Sequence, residues 1–267
     1  MLQAALAVTS GGAVGLSLGL VGGGGSILAV PLLYYLVGVA SPHAAIGTGS
    51  VAVAASAALG LVSHARARSV KWRCALVFAA AGIVGAAAGA SFGKAVDGTK
   101  LLALFGLLMI MIGLVMLRPR RGGTDRDVML TGETAAQLLP SLLGFGFLTG
   151  AASGFFGIGG GFLIVPGLVG ATAMPILNAI GSSLVSVTAF GLTTATSYAL
   201  SGLVDWPVAG LFVLGGFAGS LFGTRLSHRL AGRGRTLSLI FAAIVVAAGL
   251  YVAGRGFADW LAQGAAS

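Results

Sequence analysis

The sequence predicts an all-α polytopic membrane protein, and three observations support this fold class. Of the 267 residues, 57% are hydrophobic and only 8% are charged, whereas soluble domains carry about 25% charged residues. The mean hydropathy is +1.03, and a soluble core cannot bury that much apolar surface because such cores stop growing near about 250–300 residues. The 46 glycines follow no collagen period and are typical of closely packed membrane helices and helix breaks.

Apolar windows divide the chain into eight predicted membrane segments. Each full window can cross a bilayer core of about 30 Å, which needs roughly 20 residues. Ser41 with Pro42 supplies a capping signal for the second segment, and Asp205 with Pro207 supplies one for the seventh. The windows are 4–21 with 26–39, then 43–62, 73–93, 100–117, 136–156 with 161–173, 176–200, 207–224 and 236–254.

The chain divides into two halves that repeat each other. We predict an N-terminal membrane repeat (1–117), a polar cytoplasmic linker (118–134) and a C-terminal membrane repeat (135–267), with about four hydrophobic segments in each repeat. The glycine cluster that ends at Pro31 recurs 135 residues later, and Ala45-Ile46-Gly47 recurs at an offset of 134. This nearly constant spacing indicates an internal duplication, which is typical of transporter folds.

The basic residues of the loops predict the orientation of the segments through the positive-inside rule. If every segment crossed once, the two sides would carry 9 and 6 basic residues, which is almost no bias. If each glycine-interrupted first segment enters and leaves on one side, the counts become 12 and 3. We therefore expect two inverted repeats, each with a broken or re-entrant first segment followed by three crossing helices, and both termini outside the cytoplasm.

Two glycine clusters, Gly22–Gly25 and Gly157–Gly161, are the most informative segments. Consecutive glycines cannot be exposed to lipid, because their backbone groups would remain unsatisfied there. We expect a short apolar helix after each cluster, with Pro31 or Pro166 in its first turns. Proline lacks a backbone N–H, and an N–H at the start of a helix has no acceptor within the helix. The free N–H groups at such helix starts attract anions. We therefore interpret the two clusters as parts of an anion site near the middle of the membrane.

Other glycines recur at spacings that favour close helix packing rather than a site. Small residues four apart let two membrane helices approach each other closely. The same packing role is the alternative interpretation for the two clusters. The glycines that we assign to packing are Gly15, Gly19, Gly85, Gly89, Gly93, Gly215, Gly219 and Gly223.

Hydroxyl residues follow the matching Ala-Ile pairs of the two halves, and one lies inside the first glycine cluster. A hydroxyl can donate to an oxyanion, although a serine or threonine in a membrane helix often bonds its own backbone carbonyl instead. The sequence does not decide between donation to a bound oxyanion and a hydrogen bond within the helix. The predicted substrate-binding residues are Gly24, Gly25, Ser26, Thr48, Gly159, Gly160, Gly161, Ser182 and Ser183.

The positions of the charged residues exclude several classes of protein. All six acidic residues fall in loops or at segment ends, whereas a carboxylate inside the membrane is the usual proton relay or cation ligand. The three histidines do not form a metal-binding spacing, and we predict no metal and no cofactor. No known catalytic motif is present, so we predict no enzyme. The net charge of +9 is expected to face anionic lipid rather than nucleic acid.

With its duplicated glycine and proline clusters and the Ala-Ile-Gly elements that follow them, the chain resembles the TauE/SafE sulfite exporter family of membrane permeases. The resemblance extends from Gly22–Pro31 to Val204-Asp205-Trp206 and so spans nearly the whole chain. It implies a multi-pass protein of the bacterial inner membrane that moves sulfite or other organosulfur or sulfur oxyanions. The halves differ where Ser26 matches Gly161 and where Lys71 matches Asp205.

We therefore expect a secondary transporter of small anions that works by alternating access. Two other functions stay open. An anion channel would use the same site without alternating states, and a structural or assembly subunit of the membrane would need no substrate. The expected partners are a small anionic substrate and the lipid bilayer. The sequence leaves the coupling ion, the direction of transport and the oligomeric state open.

Overall fold

The computed structural model describes residues 1–21, 23–66, 68–117, 134–159, 161–229 and 234–265. The predicted linker, apart from Thr134, lies outside the described residues. Every regular element in the described part of the chain is helical. The α-helices are α1 (Leu2–Val21), α2 (Ala29–Pro31), α3 (Pro42–Arg66), α4 (Trp72–Ala95), α5 (Gly98–Leu117), α6 (Ala135–Phe156), α7 (Gly161–Thr172), α8 (Ile176–Leu200), α9 (Trp206–Arg229) and α10 (Gly234–Ala265).

Seven of these helices are long and apolar enough to cross a membrane. They are α3, α4, α5, α6, α8, α9 and α10. The predicted all-α polytopic fold class is confirmed. Most predicted windows match a helix closely, but α10 extends eleven residues past the predicted end at 254.

Capping side chains fix the helix starts that the sequence indicates. The Ser41 hydroxyl oxygen accepts the N–H of Ala44 at 3.1 Å at the start of α3. The Asp205 carboxylate accepts the N–H of Val208 at 3.1 Å in the first turn of α9. Asp97 caps α5 in the same way, accepting the N–H of Thr99 at 3.0 Å. Asp97 and Asp205 thus act at helix ends, as their sequence positions predict.

The segments after the glycine clusters differ from the prediction. The first is not a regular helix, because Gly23–Leu28 forms a 3-10 turn and Leu32–Leu36 forms a π turn around the short α2. The second is the regular helix α7, but Pro166 is its sixth residue. A proline beyond the first four residues removes an N–H that would have donated within the helix. The expectation that the proline has no partner to lose is therefore wrong for Pro166.

Each half packs against the other through matched pairs of helices. Helix α1 of the first half lies along α9 of the second half. Helix α6 is the counterpart of α1, and α4 is the counterpart of α9. These two counterparts also lie along each other. The same contact is therefore made twice between the halves. Two further pairs join counterparts directly, namely α3 with α8 and α5 with α10. Helices α3 and α8 also contact the segments that follow the glycine clusters. These two helices therefore lie at the centre of the molecule.

The two duplicated contacts are seams of glycine. A Cβ on Gly15 would overlap the carbonyl oxygen of Gly216, and one on Gly89 would overlap that of Ala151. A Cβ on Gly150 would likewise overlap the carbonyl oxygen of Gly82. Such approach is possible only without side chains at these positions. The packing prediction is confirmed at Gly15, Gly85, Gly89, Gly93, Gly215 and Gly219.

The facing residues also give the directions of the helices. In the seam of α1 with α9, Gly11 faces Phe212 and Gly15 faces Gly216, so these two helices run parallel. Between α3 and α8 the order reverses, because residue 47 faces 198, residue 54 faces 191 and residue 60 faces 184. Helices α3 and α8 are therefore antiparallel. The same reversal relates α5 and α10, where residue 106 faces 253 and residue 113 faces 246.

Leucine at a seam position is expected to destabilise the protein far more than leucine at an open position of the same helix. Gly150→Leu places its side chain against the backbone of α4, whereas a Cβ on Gly144 meets no atom within 4 Å. Overpacking typically lowers the free energy of unfolding by about 1–3 kcal/mol. We expect Gly150→Leu to lie at the upper end of this range, because the facing atoms belong to the backbone of α4, which cannot easily move. Thermal unfolding in detergent checks this, and equal midpoints for Gly150→Leu and Gly144→Leu would contradict the seam.

Candidate functional site

The turn between α6 and α7, residues 157–159 with the start of α7 at Gly161, is the better defined of the two glycine turns. Gly157 and Gly159 have φ values of +66° and +64°, a region that favours glycine. A Cβ on Gly157 would overlap Ile46, and one on Gly159 would lie 2.5 Å from Val53. Both conformation and space therefore require glycine at these two positions. Gly160 lies outside the described residues.

The first glycine turn is held by α1. A Cβ on Gly25 would overlap the backbone of Leu18 and the hydroxyl of Ser17. That hydroxyl donates to the carbonyl of Val14 at 2.8 Å and lies 3.4 Å from the carbonyl oxygen of Gly25. Ser26 is fully buried, and Gly24 belongs to the same 3-10 turn. Close approach, rather than left-handed backbone, explains the glycine at position 25.

The first glycine turn packs against the helix that follows the second glycine turn. The 3-10 turn Gly23–Leu28 contacts both α7 and α8. The second turn reaches α3, where the Ser50 hydroxyl lies 2.8 Å from the carbonyl oxygen of Ile46 and 3.2 Å from that of Gly157. Ser50 is not among the predicted substrate-binding residues, although it follows Thr48 by two positions. The structure thus places the first predicted cluster against the helix that begins at the end of the second cluster.

Thr48 and Ser182 make a reciprocal pair of hydrogen bonds between the halves. The Thr48 hydroxyl accepts the backbone N–H of Asp205 at 3.0 Å. The Ser182 hydroxyl accepts the backbone N–H of Lys71 at 2.9 Å. Thr48 matches Ser182 and Lys71 matches Asp205 at the same offset of 134, so one bond is the counterpart of the other. Each joins a central helix of one half to the residue immediately before α9 or α4 of the other half.

Neighbouring contacts extend each bond into a small interface that we call a latch. The Thr48 latch consists of Gly47, Thr48 and the loop 203–205, and a Cβ on Gly47 would overlap the carbonyl oxygen of Leu203. The Ser182 latch consists of Asn178, Gly181, Ser182 and the loop 69–71. There the Asn178 amide donates to the carbonyl of Ser69 at 3.0 Å. The two latches lie at opposite ends of the bundle, because α3 and α8 are antiparallel.

Ser183, another of the predicted hydroxyl residues, has a partner in its own helix. Ser183 donates to the carbonyl of Ile180 at 2.8 Å in its own helix. Thr48, Ser182 and Ser183 are all fully buried. In this conformation these three hydroxyl residues, which lie towards the two ends of the bundle, are therefore closed off from solvent.

The surroundings of the glycine turns carry little negative charge. Asp97 and Asp205, the acidic residues with described side chains, are both helix caps. Among the described residues, no group of three histidine, cysteine or acidic side chains could hold a metal ion. Lys94, near one end of α4, donates to the carbonyl of Ser197 at 3.1 Å and to the Ser201 hydroxyl at 3.0 Å. These neutral partners leave its positive charge uncompensated by a carboxylate within the described chain.

The start of α7 offers hydrogen-bond donors that suit a small acceptor group. Helix α7 begins at the second glycine turn, and the first four N–H groups of a helix have no acceptor within it. These groups and the positive end of the helix dipole favour an anion. The hydroxyls can add neutral donors, and the buried setting strengthens each hydrogen bond.

Comparison with known proteins agrees with this architecture. Residues 7–252 match the family described as "Sulfite exporter TauE/SafE". The chain is 50% identical over 255 residues to a "Probable membrane transporter protein" of Xylella fastidiosa, covering 96% of this chain and 97% of that protein. It is 26% identical over 247 residues to "Probable membrane transporter protein YunE" of Bacillus subtilis, covering 86% and 90% of the two chains.

No solved structure matches the chain. The family match covers more than nine tenths of the sequence and includes both glycine turns and both latches. Together with the seven apolar helices, it identifies a membrane transporter that spans the bilayer several times. The chain belongs to the TauE/SafE sulfite exporter family.

Proposed function

We propose that the protein is a secondary transporter of sulfite or other organosulfur or sulfur oxyanions in the bacterial inner membrane. The observation that carries the proposal is the packing of the first glycine turn against α7, the helix that begins at the second glycine turn. The described membrane helices place no acidic side chain there, and a carboxylate would repel an anion. The family description names sulfite export, and the Bacillus and Xylella relatives support a bacterial membrane.

Transport by alternating access follows from an inverted arrangement of the two halves. Counterparts related by an axis in the membrane plane must run antiparallel, and the antiparallel pairs α3 with α8 and α5 with α10 support such an axis. The two halves can then exchange conformations, so that the site opens first to one side and then to the other. We assign the Ser182 latch to the cytoplasmic side, since its end of the bundle carries the loop with Arg66, Arg68 and Lys71.

The two latches would act as the gates. Each closes one end of the α3 and α8 pair with hydrogen bonds beside a glycine contact, one bond in the Thr48 latch and two in the Ser182 latch. Because both latches are closed here, we interpret the conformation as occluded. Opening one end would break one latch while the other remains intact, which is what alternating access requires.

An anion channel remains the second candidate, because it would use the same donors. The closed latches at both ends favour a carrier, since a channel needs one conformation open to both sides. Flux far above carrier rates in liposomes would support the channel instead. A structural or assembly subunit would bind no anion at all.

A selective sulfur oxyanion is expected to stabilise the purified protein against heat. A ligand at 100 times its dissociation constant stabilises the native state by about 2.7 kcal/mol. The measurement is a thermal-shift series in detergent with sulfite, sulfate, thiosulfate, sulfoacetate, taurine, acetate and chloride. A shift with a sulfur oxyanion, followed by its uptake into liposomes, would support the proposal. The absence of any shift with every anion would count against an anion site.

A further inference from the structure

Buried hydroxyls without a hydrogen-bond partner are concentrated in the second half of the described chain. Three such serine and threonine residues are Ser153, Ser186 and Thr194. At the matching offsets the first half carries Leu18, Ala52 and Gly60, which have no hydroxyl. Among the described residues of the first half, Ser10 of α1 also has a buried hydroxyl without a hydrogen-bond partner. The two halves therefore differ in the donors that they can offer.

Ser153 lies one helical turn before the second glycine turn. Its carbonyl oxygen accepts the backbone N–H groups of Gly157 and Ile158. Helices α6 and α7 form an antiparallel hairpin in which the Thr149 methyl group is 3.2 Å from the Cβ position of Gly167. Ser153 is on the same face of α6, one turn nearer the glycine turn. The register of the hairpin therefore sets Ser153 beside the first turn of α7.

The Ser153 hydroxyl does not make the bond that is usual for hydroxyls in membrane helices. Thr149, one turn earlier, donates to the carbonyl of Phe145 at 2.7 Å, and Thr188 donates to that of Leu184 at 2.8 Å. Ser153 is 0% exposed, yet its oxygen has no partner. An unsatisfied buried hydroxyl is unfavourable unless another partner compensates for it. A bound acceptor at the start of α7 would supply that compensation.

We propose that Ser153 binds the substrate anion together with the free N–H groups of the first turn of α7. The inference rests on the proposed transport of anions and assigns the main binding contacts to the second half. Helix α7 has 12 residues, so it has a full set of unpaired N–H groups at its start. A hydroxyl on α6 and N–H groups on α7 approach the ligand from two directions. A sulfonate, sulfite or carboxylate group can accept from the hydroxyl with one oxygen and from the N–H groups with another. A halide ion has only one acceptor atom.

The first half offers a different environment at the matching place. The counterpart of Ser153 is Leu18, and the adjacent Ser17 hydroxyl already donates to the carbonyl of Val14 at 2.8 Å. The segment that follows begins as a 3-10 turn rather than as a regular helix. The first glycine turn therefore shapes one wall of the site, while the second supplies the donors.

Anion binding by purified full-length variants tests this assignment. Ser153→Ala is expected to raise the dissociation constant for sulfite or sulfoacetate at least tenfold without lowering the melting temperature of the ligand-free protein. Thr149→Val is the matched control, because it removes a buried hydroxyl of the same helix that already has a partner. We expect its dissociation constant to stay within twofold of the wild-type value. Wild-type affinity in Ser153→Ala would overturn the proposal.

Ser153→Cys separates hydrogen-bond donation from packing. A thiol fills nearly the same space as the hydroxyl but is a weak donor. We expect Ser153→Cys to bind sulfite several-fold more weakly than the wild type. Wild-type binding by Ser153→Cys with weak binding by Ser153→Ala would assign the effect to volume and overturn the donor role. If wild-type protein binds no oxyanion, the proposed function fails first, whereas normal wild-type binding and transport with an unaffected Ser153→Ala would reject only this inference.

Discussion

Replacing Gly159 with leucine is expected to abolish anion uptake while the protein still inserts into the membrane. Gly159 has a φ of +64°, and a left-handed backbone costs a residue with a side chain about 1–2 kcal/mol. Its Cβ would also meet Val53 of α3 at 2.5 Å and Val187 of α8 at 3.3 Å. The substitution would therefore move the start of α7 away from the central helices. Uptake of labelled sulfite into liposomes measures the effect.

Two further variants separate loss of the site from loss of the fold. Gly210→Leu is the control, because a Cβ there meets no atom within 4 Å and Gly210 lies in a helix that crosses the membrane. We expect this variant to retain uptake. Gly25→Leu should also abolish uptake, since Gly25 packs against the backbone of Leu18. Normal uptake by Gly159→Leu and Gly25→Leu in correctly inserted protein would remove the glycine turns from the mechanism.

Features that depend on a few neighbouring residues could be predicted from the sequence. A helix cap involves residues two or three positions apart, which is why Ser41 and Asp205 were identifiable as the caps of α3 and α9. The glycine seams were identifiable because four-residue spacing places small side chains on one helix face. The glycine clusters stood out because their backbone needs burial in protein.

The partners of the site hydroxyls depend on how the two halves dock, and this is not visible in local sequence. Thr48 was predicted to bind substrate, yet its oxygen accepts an N–H from a residue 157 positions away. Ser153 carries no local signal, since the same residue type at position 91 simply bonds its own helix at 2.9 Å. The 3-10 and π turns beside Pro31 were likewise unforeseen, because they arise where the segment must fit against α1 and α3.

Breaking one latch is expected to open one end of the transporter, and the two latches should have opposite effects. Thr48→Val removes the acceptor of the Asp205 N–H, and Ser182→Ala removes the acceptor of the Lys71 N–H. Leaving a buried N–H without an acceptor costs about 1–3 kcal/mol. A shift of about 1.4 kcal/mol changes the ratio of two conformations tenfold. Each variant should therefore strongly favour the state in which its own latch is open.

Cysteine labelling at two matched positions measures which end is open. Ala45 and Ala179 are counterparts at the offset of 134, both are fully buried, and each lies within one turn of a latch. With Cys74→Ala as background, Thr48→Val should speed the labelling of Ala45→Cys and leave that of Ala179→Cys unchanged or slower. Ser182→Ala should do the reverse. Faster labelling at both positions in either variant would indicate general loosening rather than a gate.

The double variant Thr48→Val with Ser182→Ala provides the most discriminating result. If the latches are the two gates, each substitution stabilises an opposite open state relative to the occluded one. Their effects on the ratio of the two open states should then cancel, while both states gain population from the occluded conformation. Labelling should rise at both cysteines, and uptake should exceed that of either single variant, because neither open state is a trap. An uptake equal to the product of the two single-variant losses would instead mean that the hydroxyls contribute independently to binding or folding.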